Sequence, residues 1–255
     1  MNKIAGRVHP ALIAVWAAIV AVGHLMPTIP MLGTGRSFSL SAALTPLSGI
    51  FFGPIAGALC SAAGGFVGSF IAPHTAWMGP FTFIVGTSTA FTTGCVAWGK
   101  WPPVKLSAGG NFIINGGIIV YIAGVSLWYT QEIGRSIVYF PIVSYGFGFV
   151  ALIIGSIFAH RLFASKKPPA RFAALWLCAF AGMMGGASIG NFFSLVLFGL
   201  PRELWAFLMF VQPLERVVFA LGAMLIGAPL IAGLEKIGIF VGPHSEDDAT
   251  HLPAP

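Results

Sequence analysis

Apolar residues in this chain of 255 come in long runs broken by glycine, proline and short polar stretches. A helix that crosses a bilayer needs about 20 mostly apolar residues. The runs predict eight helices, at roughly 9–26, 37–52, 54–72, 80–98, 108–130, 137–163, 172–198 and 205–238. They are too long for strands and do not alternate, which also excludes a transmembrane barrel with a polar lumen. Breakers set the boundaries. Pro27 and Pro30 close the first helix, and Gly53-Pro54 divides the second from the third with almost no loop. Gly79-Pro80 opens the fourth, Pro102-Pro103 follows it, Lys166 to Pro169 separates the sixth from the seventh, and Pro201 precedes the eighth. Proline suits a first helical turn and halts a helix that precedes it.

Composition turns these runs into a membrane protein. Hydrophobic residues make up 57% and charged ones 8%, against about 25% charged in a soluble domain. Mean hydropathy is +0.90. A soluble enzyme, a disordered protein and a disulfide scaffold are excluded, leaving an all-α, polytopic transmembrane bundle. Cys60, Cys95 and Cys178 are isolated within apolar runs, with no zinc or disulfide spacing. Lys3 and Arg7 ahead of Ala11–Val22 resemble a signal peptide, but with so many later spans the segment reads as an uncleaved first helix.

Charge orients the bundle. The basic residues are scattered thinly, unlike the solvated basic face of a nucleic-acid binder. With the N-terminus inside, nine fall in cytoplasmic segments (Lys3, Arg7, Lys100, Lys105, Arg161, Lys166, Lys167, Arg171, Lys236) and three outside (Arg36, Arg135, Arg202). That asymmetry obeys the positive-inside rule and places both termini in the cytoplasm. Residues 1–240 read as the membrane domain and 241–255 as a disordered acidic cytoplasmic tail.

Two matches to chemical motifs fail on context. Gly94 to Lys100 has most of a phosphate-binding loop, but Trp101 stands where Ser or Thr should ligate magnesium, and no strand precedes it. Gly186-Ala-Ser188-Ile-Gly190 matches a nucleophile elbow, yet lies within a membrane helix rather than at a strand-to-helix turn. It reads as a packing face, as do Gly53/Gly57, Gly64/Gly68, Ala14/Ala18 and Gly182/Gly186/Gly190. Trp77, Trp98, Trp101, Trp128, Tyr129 and Trp205 fall near predicted helix ends, as an interfacial aromatic belt would. No catalytic residue, metal or cofactor is expected.

The polar residues at membrane depth mark the candidate site. Helix seven carries Asn191, and helix eight carries Gln212, Glu215 and Arg216. If helix eight enters at Trp205, Glu215 lies about 15 Å deep at 1.5 Å per residue. Charge at that depth must face protein or a water-filled cavity. Glu215 and Arg216 point about 100° apart, so they need not pair with each other. These four residues are expected to share a cavity opening outward, with Arg36, His74 and Trp77 near its mouth. A buried structural network is the competing reading. Asn111 and Asn115 read as interhelical bonding near the inner end of helix five.

Three stretches, Ser41–Ile71, Gly79–Trp101 and Phe192–Gly238, resemble the substrate-binding S components of energy-coupling factor (ECF) vitamin transporters. The Ala14/Ala18 face is similar to the patch with which such components dock on their transmembrane coupling subunit. The resemblance implies capture of a small micronutrient at the external face, occlusion by the 27–37 loop, and docking to a coupling subunit with two ATPases. The family usually has six helices, so residues 108–163 read as an inserted pair. A stand-alone transporter or channel, or a membrane-embedded enzyme, are the alternatives.

Overall fold

The computed structural model describes residues 10–31, 36–99, 115–165 and 167–243. The elements run α1 (Pro10–Gly23), β1 (Pro27–Met31), β2 (Arg36–Ser39), α2 (Ser41–Ile71), α3 (Phe83–Trp98), α4 (Gly116–Thr130), the short α5 (Glu132–Ser136), α6 (Phe140–Ala164), α7 (Pro168–Phe198) and α8 (Arg202–Lys236). α6, α7 and α8 are each long and apolar enough to cross a membrane, and so is α2 when its 31 residues are counted as one helix.

α2 is folded on itself. Gly53 has φ 82° and ψ 179°, a backbone conformation open in practice only to glycine, and Pro54 starts the next turn. A Cβ on Gly57 would lie 2.4 Å from the carbonyl oxygen of Ser48. Residues nine apart in one straight helix would stand about 13 Å apart along its axis, so 41–52 and 54–71 are antiparallel. Counting these halves separately gives eight long helices among the described residues, as the apolar runs predict.

Glycine contacts then lock α3 into this hairpin. A Cβ on Gly49 would stand 2.0 Å from the carbonyl oxygen of Ala90, and one on Gly94 would stand 2.6 Å from Pro54 Cα. α1 crosses the second half of α2 at Gly64, where a Cβ would meet the Ala17 carbonyl at 2.5 Å. The stripe Gly182/Gly186/Gly190 on α7 takes Thr93, Thr89 and Val85 of α3. These stripes serve intramolecular packing. Lipid is as apolar as the helix surfaces, so close backbone approach is what favours one arrangement over another.

The helix pair α4/α6 is built into the bundle. Tyr121 donates its hydroxyl to the Ala181 carbonyl at 2.8 Å. Gly124 meets Ser188, and Gly148 meets Met184. Asn115 caps α4 by accepting from Gly117 N at 2.8 Å, and donates to the Cys95 carbonyl and Ser156 Oγ at 2.9 and 2.7 Å. The interhelical role expected of Asn115 is what its side chain does. Asn111 lies outside the described residues, as do Lys100, Trp101 and the 244–255 portion of the expected tail.

Two expectations need correction. The 27–37 segment was expected as a loop and 37–52 as helix. Instead β1 and β2 pair as an antiparallel ribbon, and α2 begins at Ser41. Arg36 to Ser39 form strand because the preceding chain offers a partner, with Leu40 N donating to the Met26 carbonyl at 2.9 Å. The aromatic belt also loses members. Trp128 and Trp205 are fully buried: Trp128 stacks on Phe140 at 4.2 Å, and Trp205 meets both edge-on. Position near a helix end gives a residue's depth but not the direction it faces.

Gly53→Ala is expected to destabilise the fold by about 1–3 kcal/mol through backbone strain alone, since its Cβ would meet only Trp98 at an ordinary 3.6 Å. Gly146→Ala, where a Cβ meets nothing within 4 Å, should leave stability unchanged or slightly raised. Thermal unfolding in detergent micelles separates the two.

Candidate functional site

One end of the bundle holds a cavity of about 140 Å³, on the order of ten times the space that admits a single water. Its walls come from the end of α1, the ribbon, both halves of α2, the start of α3, the last turns of α7 and the first half of α8. Arg161, Lys167, Arg171 and Lys236 lie at the opposite ends of their helices. By the positive-inside rule the cavity end faces outward.

Of the seven residues expected at the site, Trp77, Asn191, Gln212, Glu215 and Arg216 line this cavity. Arg36 and His74 do not. Arg36 instead donates to the Pro73 carbonyl, tying β2 to the segment that leads to Trp77. His74 is exposed beside it.

Asn191 and Gln212 hold each other. Asn191 Nδ2 donates to Gln212 Oε1 at 2.8 Å, and Gln212 Nε2 donates back to Asn191 Oδ1 at 2.9 Å. α6 supports the pair: Asn191 Nδ2 also donates to Tyr145 Oη at 2.9 Å, and Ser144 Oγ reaches Gln212 Oε1 at 3.5 Å. The pair spends both Asn191 protons and leaves one Gln212 N–H and one lone pair on Asn191 Oδ1. This is both a structural network and a cavity wall, so the two readings of these residues coincide.

The ribbon lines the cavity through Met31, Phe38 and Ser39, and Phe38 packs edge-on against Phe219 at 5.1 Å and lies under the Arg216 guanidinium, 4.8 Å from its ring centre. Cation–π contact suits a guanidinium away from bulk water. The cluster's inward reach follows from α8 geometry: Trp205, Gln212 and Arg216 are spaced by seven and four residues and share one face.

The sequence reading missed a second polar wall. His24 Nδ1 donates to the Val20 carbonyl at 3.0 Å, its Nε2 lies 3.2 Å from Ser41 Oγ, and Ser39 Oγ is 2.6 Å further on. Thr75 Oγ1 donates to the His24 carbonyl at 3.1 Å. Thr45, Ser61, Thr82 and Thr89 continue this lining. The available signal was hydroxyl spacing, with Ser41 and Thr45 four apart and Thr82 and Thr89 seven apart. Two lining residues hold polar atoms with no partner, Ser61 Oγ and Trp205 Nε1, each residue 1% exposed. Unpartnered buried donors are costly in an interior, and a ligand or water in the cavity relieves them.

Ala14 and Ala18 stand exposed on α1, in line with Val15, Ile19 and Val22, while Trp16 and Val20 face α2.

Residues 9–144 match the family model of the ECF-type riboflavin transporter S component, just over half of the chain. The chain belongs to that family. As an S component it is a multi-pass plasma-membrane transporter subunit and not an enzyme. The matched region supplies α1, the ribbon, α2, α3 and α4, whereas α7 and α8, which carry Asn191, Gln212, Glu215 and Arg216, lie beyond it. A curated protein of Methanocaldococcus jannaschii, described only as uncharacterized, is 25% identical over 176 residues, covering 68% of this chain and 54% of that one. The chain thus spans about half the length of that relative. No solved structure matches it.

The amide pair makes a stability prediction independent of any ligand. Asn191→Leu alone or Gln212→Leu alone leaves its partner amide unmet in the interior, at about 1–3 kcal/mol each. The double substitution should cost less than the sum of the singles. A double-mutant cycle on unfolding midpoints reads this coupling, and strict additivity would mean the pair does not form.

Proposed function

We propose that this S component captures a small micronutrient of the vitamin class at the outer face, with a flavin as the first ligand to test. It would pass that ligand to a membrane coupling subunit driven by two ATPases. The observation that carries this reading is the ribbon-lined cavity at the outward end, walled by amides, hydroxyls and aromatic rings, in a chain of a family described as riboflavin transporters. Such walls suit a flat ring system with hydrogen-bonding edges: Trp77 and Phe38 offer faces, while the spare Gln212 N–H and Asn191 oxygen offer a donor and an acceptor. Asn191, Gln212, Glu215, Arg216 and Trp77 are the proposed contacts. Arg36 acts from outside the cavity by fastening the ribbon, and no role follows for His74.

Purified protein titrated with riboflavin should quench flavin fluorescence saturably, and Gln212→Ala should weaken binding by about tenfold, the equivalent of one hydrogen bond at 1.4 kcal/mol. In liposomes the chain alone should not accumulate riboflavin. ATP-independent accumulation would identify a stand-alone transporter instead.

Docking is proposed for the exposed α1 face. Ala14→Trp and Ala18→Trp should each abolish copurification with the coupling subunit and leave riboflavin affinity unchanged. Normal copurification in both would move the docking surface off α1.

A further inference from the structure

We infer that the deep end of this cavity is an anion subsite built on Arg216, so that the ligand carries a phosphate, carboxylate or similar acidic group. The inference rests on the reading of the cavity as a ligand site and adds the chemical class of what fills its inner end.

Arg216 lines the cavity from the middle of α8. Among the described residues it closes no salt bridge, the ion pair there being Arg171–Glu235 at the other end of the helix. Its close contact is the face of Phe38 at 4.8 Å. A ring face offsets part of the charge but accepts none of the guanidinium's five N–H donors in the planar fork that suits an oxyanion. Glu215 also lines the cavity. Being adjacent in sequence, it projects about 100° around the helix from Arg216, which leaves the fork open. It tempers the local charge without occupying the donors.

Further polar groups share this wall. Trp205 Nε1 and Ser61 Oγ have no partner, and the amide pair leaves one Gln212 N–H. Trp205 Nε1 and the Gln212 N–H can only donate. These donors join the Arg216 fork along this wall, beside the acceptors Asn191 Oδ1 and the Glu215 carboxylate. Gln212 precedes Arg216 by one turn and Trp205 precedes it by three, about 6 and 16 Å along the axis. An elongated molecule with its acidic group on Arg216 and acceptors toward Trp205 matches that line.

The test compares riboflavin with riboflavin 5′-phosphate, which differ by one anionic group, using fluorescence quenching on the full-length protein in detergent. The phosphate ester should bind at least about tenfold more tightly, as one charge-assisted contact implies. Arg216→Gln should erase that preference, and Arg216→Lys, which keeps the charge, should retain part of it. A preference unchanged in Arg216→Gln overturns the subsite. Riboflavin binding with no advantage for the ester also overturns it, while leaving the ligand cavity intact. If neither flavin binds, the flavin reading fails, and unfolding midpoints in inorganic phosphate against chloride at equal ionic strength decide the subsite. Phosphate raising the midpoint of wild type but not of Arg216→Gln supports it, and equal responses overturn it.

Discussion

Everything in this fold depends on how closely the two halves of α2 and the second half of α3 approach one another. In water, burial of apolar surface would hold such helices together; in lipid that drive is absent, and contact distance takes its place. Gly49, Gly57 and Gly94 remove the side chains that would keep the backbones apart, and Gly53 supplies a reversal no other residue makes without strain. The hairpin then sets where Ser41, Thr45 and Ser61 sit, and thereby one wall of the cavity. The opposite wall is placed by the glycine stripe of α7 against α3.

The cavity combines two kinds of wall. On the α7/α8 side, side chains hydrogen-bond one another across helices. On the α1/α2/α3 side, the groups are short hydroxyls and one imidazole: Thr45 donates to the Ser41 carbonyl of its own helix at 2.7 Å, Ser41 Oγ meets His24 and Ser39, and Ser61 Oγ has no partner. Tyr145 links the helix pair α4/α6 to this arrangement through Asn191. A bundle without those helices would have to hold that amide in another way.

Much of this was legible in the sequence, for a physical reason. A hydrocarbon solvent demands long apolar segments, so the eight helices and the Gly53-Pro54 reversal stand out. Charges and amides at membrane depth are rare enough to mark themselves, and Asn191 and Gln212, chosen by matching depth alone, do meet. The hydroxyl wall was harder to see, because Ser and Thr bonded to their own helix are cheap in membranes and do not break the apolar pattern. Tyr145 was hidden because a tyrosine suits lipid interfaces equally well. Trp128 and Trp205 show the same ambiguity from the other side, since depth was read correctly and facing was not. Arg36 was placed near the mouth by loop position; its side chain hydrogen-bonds the Pro73 carbonyl and is not part of the lining.

The Arg171–Glu235 pair, at 3.2 Å, joins the first turn of α7 to the last of α8. The Asn191–Gln212 pair joins the same two helices near their other ends. Two fasteners at opposite depths leave little freedom for one helix to slide or splay against the other. That makes α7/α8 the stator of the molecule. The ribbon meets that frame through Phe38, against Phe219 and Arg216, and α1 reaches it by way of α2, through Gly64 and the Trp16–Ser48 hydrogen bond.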